Sequence, residues 1–168
     1  MHDFILHHYD FSPFAEKIRT LLGHKNAHYK VVNIPIIMPK PDLVSLTGGY
    51  RKTPVLQYNN HIYCDTRLMA RVIDEQFSGE SIFPSALSFT ANTLAQWADQ
   101  HLFSVAVALA FSPSGFKAFR QRVPAKFVED FVNDRAKMRE GSSGLSMDTN
   151  TALQLIPIYL QKMEQQLS

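Results

Sequence analysis

The chain has 168 residues, 45% of them hydrophobic and 19% charged, a composition that belongs to soluble globular proteins and excludes disordered and fibrous ones. Its 17 Lys and Arg against 15 Asp and Glu leave +2. No run of like charge exceeds a pair such as Arg51-Lys52, so neither nucleic acid nor an anionic membrane is expected as a partner. Apolar stretches such as Val105 to Phe111 fall far short of the ~20 residues that span a bilayer. Met1-His2-Asp3 lacks the basic opening of a signal peptide, and a cytoplasmic location is expected. The single cysteine, Cys64, excludes an intrachain disulfide and any Cys-x-x-Cys metal or redox site.

Asp3 to His8 is short and apolar in its middle, which predicts a buried strand. A helix follows: Ser12 stands at the N-cap and Pro13 at the first helical position. Phe14, Ile18, Leu21 and Leu22 then recur at helical spacing up to Gly23. Tyr29 to Ile34 is β-branched, and because it is reached through a helix it should run parallel to the first strand. Pro35, Pro39 and Pro41 end it, and Asp42 to Leu46 allow one or two helical turns before Gly48-Gly49. T-P-V-L-Q-Y then reads as a strand, Asn59-Asn60 as a tight turn and H-I-Y-C as the hairpin partner. Asp65-Thr66 opens a helix whose apolar face is Leu68, Met69, Val72, Ile73 and Phe77. The order β-α-β-α-β-β-α predicts a layered α/β domain over residues 1–80.

After Phe83-Pro84 the pattern becomes wholly helical and predicts an all-α domain over residues 86–168. Leu94, Trp97, His101 or Leu102, Val105 and Leu109 mark one long helix. Phe127, Val128, Phe131, Val132 and Met138 mark a second; Leu153, Ile156, Leu160, Met163 and Leu167 mark a third. Pro113-Ser114-Gly115 and Gly141-Ser142-Ser143-Gly144 read as breaks. Pro157 should either kink the third helix or stand just inside its start.

Three places carry chemistry. Ser12 puts a hydroxyl at a helix N-terminus, where free N–H groups and the helix dipole favour an anion; taken alone, it reads first as a plain N-cap. Thr53-Pro54 opens a strand that must lie inside the sheet, where proline cannot donate to a ladder. A cis bond there would turn the Thr53 backbone N–H and C=O toward the first helix, ready to pair with a peptide-like ligand. Asp65-Thr66 sets a carboxylate and a hydroxyl at a third helix start, which suits an amino-acid end, the hydroxyl taking its carboxylate and Asp65 its ammonium. A cap is the alternative here too. Other residues read more plainly: His24 and His28 are four apart but have no third ligand near, so no metal is expected. His7 and His8 point to opposite faces of a strand, and Cys64 reads as a buried strand cysteine. Trp97 reads as core. Lys117, Arg120, Arg122 and Lys126 among Phe116 and Phe119 read as a solvated connection between helices.

Taken together, S-P-F-A-E-K-I-R, the T-P-V-L strand and C-D-T before an amphipathic helix resemble the N-terminal domain of cytosolic glutathione S-transferases. The helical remainder resembles the start of their C-terminal domain. Ser12 to Ala15 occupy the place where thioredoxin-type proteins carry two cysteines, and the resemblance implies a thioredoxin-like fold. It further implies that glutathione is the co-substrate, its thiolate stabilised by Ser12 as the catalytic residue and its cysteinyl backbone held by Thr53 with Pro54. Asp65 with Thr66 would bind the γ-glutamyl end and Lys40 the glycine carboxylate. The implied activity is transfer of the thiolate to a small electrophile by a homodimer, with no metal. A non-catalytic glutathione-binding or protein-interaction module of the same fold is the alternative, and a thiol oxidoreductase working through Cys64 is a third. The sequence departs from the family at Thr53, usually aliphatic, and at Gly48-Gly49-Tyr50, where many members have Asn-Pro. It also ends before the family's Ser-x-Ala-Asp helix start, so a truncated C-terminal domain is expected.

Overall fold

The structure is a computed structural model that describes residues 4–121, 124–140 and 147–168. The chain forms two compact units, Met1–Pro84 and Ser85–Ser168.

In the first unit, β1 (Phe4–His8) is central because every second residue, Phe4, Leu6 and His8, is buried. It pairs in parallel with β2 (Tyr29–Asn33) and antiparallel with β3 (Val55–Tyr58), which pairs antiparallel with β4 (His61–Cys64), giving the order β2-β1-β3-β4. The crossover between the two parallel strands is α1 (Pro13–His24), as a parallel connection requires. Asn59, in the left-handed region at φ 54°, turns the β3–β4 hairpin. β2 is an edge strand and leaves Val31 and Val32 exposed, so its β-branched run marks strand propensity and not burial. The short helix α2 (Pro41–Thr47) stops at Gly48, whose φ of 66° lets its N–H return to the Val44 carbonyl. The hydrophobic core joins Phe4, Leu6 and Leu56 of the sheet to Ile18 and Leu22 of α1 and to Met69 and Ile73 of α3 (Thr66–Gln76). Phe4 stacks on Tyr58 at 4.3 Å.

One ion pair is sealed into this unit. Lys25, after the end of α1, reaches Asp74 of α3 at 2.7 Å, with side chains only 2% and 11% exposed, and donates to the Glu80 carbonyl at 2.7 Å. Burial by itself would raise the Asp74 carboxyl, but hydrogen bonds from Lys25, Ser81 and the Ile82 N–H, with the Lys25 charge, hold it below the usual carboxylate range. A carboxyl depressed on folding stabilises the fold above its unfolded pKa of about 3.9, and that stabilisation is lost as pH falls through the lower folded value. Asp74→Asn should therefore be less stable than wild type near neutrality. The gap should close as pH drops below about 4, read by urea denaturation at a series of pH values; a gap independent of pH would sink this account.

The second unit is helical. After a 3-10 turn at Ser85–Leu87, α4 (Ser88–Trp97) runs through a π-helical turn at Ala98–Leu102 into α5 (Phe103–Ala110). Then come α6 (Pro113–Arg120), α7 (Ala125–Arg139) and α8 (Thr149–Leu167). One expected break is corrected. Pro113-Ser114-Gly115 is a helix start and not a break, since the Ser112 side chain accepts from the Gly115 N–H at 3.2 Å. A Cβ on Gly115 would lie 2.5 Å from the carbonyl oxygens of Leu109 and Ala110, so glycine permits this tight reversal. Pro157 lies inside α8, whose N-cap is Asp148, far ahead of it. Trp97 is half-buried, edge-on to Tyr159 at 5.2 Å, and His101 Nε2 lies 2.8 Å from the Tyr159 hydroxyl. Leu94, Leu153, Leu160 and Met163, on the apolar stripes that mark these helices, are exposed. In the basic-aromatic cluster, Arg120 lies over Phe116 at 4.8 Å, and on α7 Arg135 lies over Phe131 at 4.5 Å. Arg122 and the expected break at 141–144 fall outside the described residues. Among those residues no single helix is long and apolar enough to cross a membrane.

Candidate functional site

Strand register decides which residues meet. His7 of β1 pairs with Val55 of β3, and Val55 with Cys64 of β4. The last residues of β1, the first of β3 and the last of β4 therefore lie side by side at one end of the sheet. Ser12 follows β1, Thr53-Pro54 precedes β3, and Asp65-Thr66 follows β4, so topology gathers the three segments there. Lys40, at the start of α2, joins them through its Nζ, 3.3 Å from the Thr53 hydroxyl.

Ser12 is 3% exposed, and its Oγ accepts from the Ala15 N–H at 3.2 Å, so the capping reading holds. Capping uses a lone pair and leaves the hydroxyl hydrogen, for which no acceptor exists among the described residues. The loop before it is held by Arg19 of α1, which donates to His8 Nδ1 at 2.8 Å, to the Asp10 carbonyl at 3.2 Å and to Glu16. A guanidinium has no acceptor, so His8 Nδ1 must accept. Sequence reading missed Arg19 because its partners come from the strand and the loop ahead of its own helix.

The Thr53-Pro54 bond is cis, as is Met38-Pro39. Thr53 makes no backbone–backbone hydrogen bond among the described residues. Lys40 is 3% exposed and also faces the Tyr9 ring at 5.4 Å, so its ammonium stands inside the site beside Thr53. Asp65 is the N-cap of α3, its Oδ1 accepting from the N–H groups of Arg67 at 2.8 Å and Leu68 at 3.4 Å. Its φ of 88° is a left-handed conformation that costs a non-glycine residue about 1–3 kcal/mol, and such strain gathers at functional positions. Thr66 is buried, and its Oγ1 accepts from Lys17 Nζ at 3.3 Å.

Tyr50 was not singled out from the sequence as a site residue, yet it lies against Cys64 and Asp65. Burial, with the charges of those two residues, raises its phenol above the usual range, while a hydrogen bond from the Asp65 backbone opposes the shift. Burial also pushes the Cys64 thiol up. A thiol raised in this way is a poor nucleophile near neutrality, which argues against an oxidoreductase working through Cys64.

The profile of the glutathione S-transferase N-terminal domain matches residues 6–81, nearly all of the first unit. A GST-like protein from Pseudomonas syringae is 48% identical and superposes with a TM-score of 0.64 over 77% of this chain. Sequence and structure together make this chain similar to glutathione S-transferases. A probable glutathione S-transferase from Solanum tuberosum is 30% identical over 74 residues, 44% of this chain and 34% of that protein. The chain spans only 44% of the Pseudomonas protein. A Tau class glutathione S-transferase from mango, Mangifera indica, is 22% identical with a TM-score of 0.59, covering 98% of this chain and 78% of its own. This last likeness carries the glutathione S-transferase fold across both units. The predicted fold class stands: a thioredoxin-like β-α-β-α-β-β-α unit followed by a helical one.

Proposed function

We propose that this chain is a glutathione S-transferase that binds glutathione as co-substrate, ionises its thiol beside Ser12 and transfers the thiolate to a small electrophile. The observation that carries the reading is Ser12 itself: buried at the start of α1, with its oxygen fixed by the Ala15 N–H and its hydrogen left to donate. The free Thr53 backbone groups would pair with the cysteinyl N–H and C=O as a neighbouring strand does. Asp65 would meet the γ-glutamyl ammonium and Thr66 its carboxylate, with Lys40 toward the glycine carboxylate. The thiol proton leaves to solvent; the sulfur lone pair forms the new S–C bond while the leaving group departs with its own electron pair. Ser12 keeps its proton throughout and acts only as a donor. Association of two copies and a cytoplasmic location belong to this proposal, the first supported by Leu160 and Met163 exposed on α8.

Calorimetric titration of the chain with glutathione, followed by turnover of an activated aryl halide and sedimentation of the same sample, tests it. Saturable binding with conjugate formation is expected from a dimer. Binding without conjugate would make the chain a glutathione-binding module, and no binding would end the reading.

A further inference from the structure

We propose that Arg19 is the positioning residue for the Ser12 hydroxyl, setting through the loop between β1 and α1 how well that hydroxyl meets a bound thiolate; this rests on the glutathione reading above. Ser12, Glu16 and Arg19 stand at i, i+4 and i+7, on one face of α1. A helical side chain leans toward the N-terminus of its helix, so Arg19 reaches back past Glu16 to the chain that enters α1. Its guanidinium bridges three acceptors: Nη1 donates to His8 Nδ1 at 2.8 Å, Nη2 to the Asp10 carbonyl at 3.2 Å, and Nε to the Glu16 carboxylate at 2.9 Å. These belong to the end of β1, the loop and the helix. One planar fork ties all three together.

The three anchors differ in firmness. His8 is 3% exposed, and its carbonyl accepts from the Ile34 N–H at 2.9 Å, so it is fixed in the sheet. Tyr9 to Phe11 belong to no strand or helix, and the Ser12 N–H donates to the Tyr9 carbonyl at 3.1 Å to close the loop. The Glu16 side chain is 64% exposed against 23% for Arg19, and an exposed ion pair adds little stability. The contacts with His8 and Asp10 are what the guanidinium is placed to make. Their consequence lies across the sheet. His7, beside His8, pairs with Val55, which follows Thr53-Pro54. The ligand's cysteinyl backbone would be held at Thr53, ahead of β3, while the hydroxyl that meets its sulfur follows β1. Arg19 sets the second against the first, and a hydrogen bond weakens steeply when its donor is misaligned.

The test is thiolate absorbance titrated against pH with glutathione bound, beside calorimetry at low pH. Arg19→Met should raise the midpoint by about half a unit to one unit, part of the shift that Ser12 supplies, and change affinity for the neutral thiol by less than about twofold. Arg19→Lys keeps the charge but not the fork and should raise the midpoint nearly as far; it also serves if methionine prevents folding. In a Ser12→Ala background Arg19→Met should add nothing, because the two residues act as one unit. A wild-type midpoint in either single variant would overturn the role of Arg19 while leaving the glutathione site intact. An equal further rise in the double variant would show the Arg19 charge acting on the sulfur directly, and that too would overturn positioning. Failure of the wild-type chain to bind glutathione would overturn the site reading and this inference with it.

Discussion

Replacing Ser12 with Ala should raise the pKa of the bound glutathione thiol by about one to two units while leaving affinity at low pH nearly unchanged. The Ser12 hydroxyl donates strongly to a thiolate and weakly to a neutral thiol, so its contribution is felt almost wholly by the ionised form. A hydrogen bond to a charged group is worth about 1.5–3 kcal/mol, and one pKa unit is about 1.4 kcal/mol. Acting on a free-thiol pKa near 8.5, such a bond brings much of the bound thiol into the reactive state around neutrality. Conjugation near pH 7 should therefore fall by roughly eightfold to twenty-fivefold in Ser12→Ala, and the loss should shrink as pH rises. The measurement is thiolate absorbance titrated against pH for both proteins with glutathione bound. Ser12 is also an N-cap, so Ser12→Ala costs about 1 kcal/mol of stability as well; Ser12→Thr, which preserves cap and donor, separates the two effects. Coincident midpoints for wild type and Ser12→Ala would leave Ser12 a cap, with activation assigned to the helix N–H groups or to Tyr9.

Asp65→Ala should weaken glutathione binding by roughly tenfold or more, from the loss of a charge-assisted contact to the γ-glutamyl ammonium. Alanine also removes the cap of α3, so two further variants isolate the charge. Asp65→Asn keeps an oxygen for the Arg67 and Leu68 N–H groups and should bind almost as poorly as alanine while remaining near wild-type stability. Asp65→Gly relieves the conformation at φ 88° and should bind as poorly without the full loss of stability expected from alanine. Thermal melts beside the titrations read both quantities. If Asp65→Asn binds glutathione like wild type, the residue is a strained cap and the ammonium lies elsewhere.

Most of the first unit was legible because its punctuation is local. Ser12-Pro13 at a helix start, Asn59-Asn60 at a hairpin and Asp65 before α3 each act through neighbouring backbone groups, so residue type and spacing were enough. The same local rule was available at Ser112-Pro113 and was obscured by Gly115, which read as a breaker until the Leu109 and Ala110 carbonyls beside it showed why glycine stands there. In the second unit, period marked the helices but not their burial: Leu94, Leu153 and Leu160 recur on helical faces and are exposed. Periodicity records which face is apolar, and a packing partner determines whether it is covered.

From the amino-acid sequence alone came the order of strands and helices and the three short segments of the candidate site, because each depends on a few adjacent residues. Folding in three dimensions was needed to place β1 between β2 and β3, to bring Lys17 onto Thr66, Arg19 onto His8 and Lys40 onto Thr53, and to set Tyr50 against Cys64 and Asp65. The reason is one of range. Capping, turn geometry and strand propensity are settled within a few residues, whereas which lone pair an ammonium occupies depends on side chains that meet only after the sheet has closed and its two helices have packed.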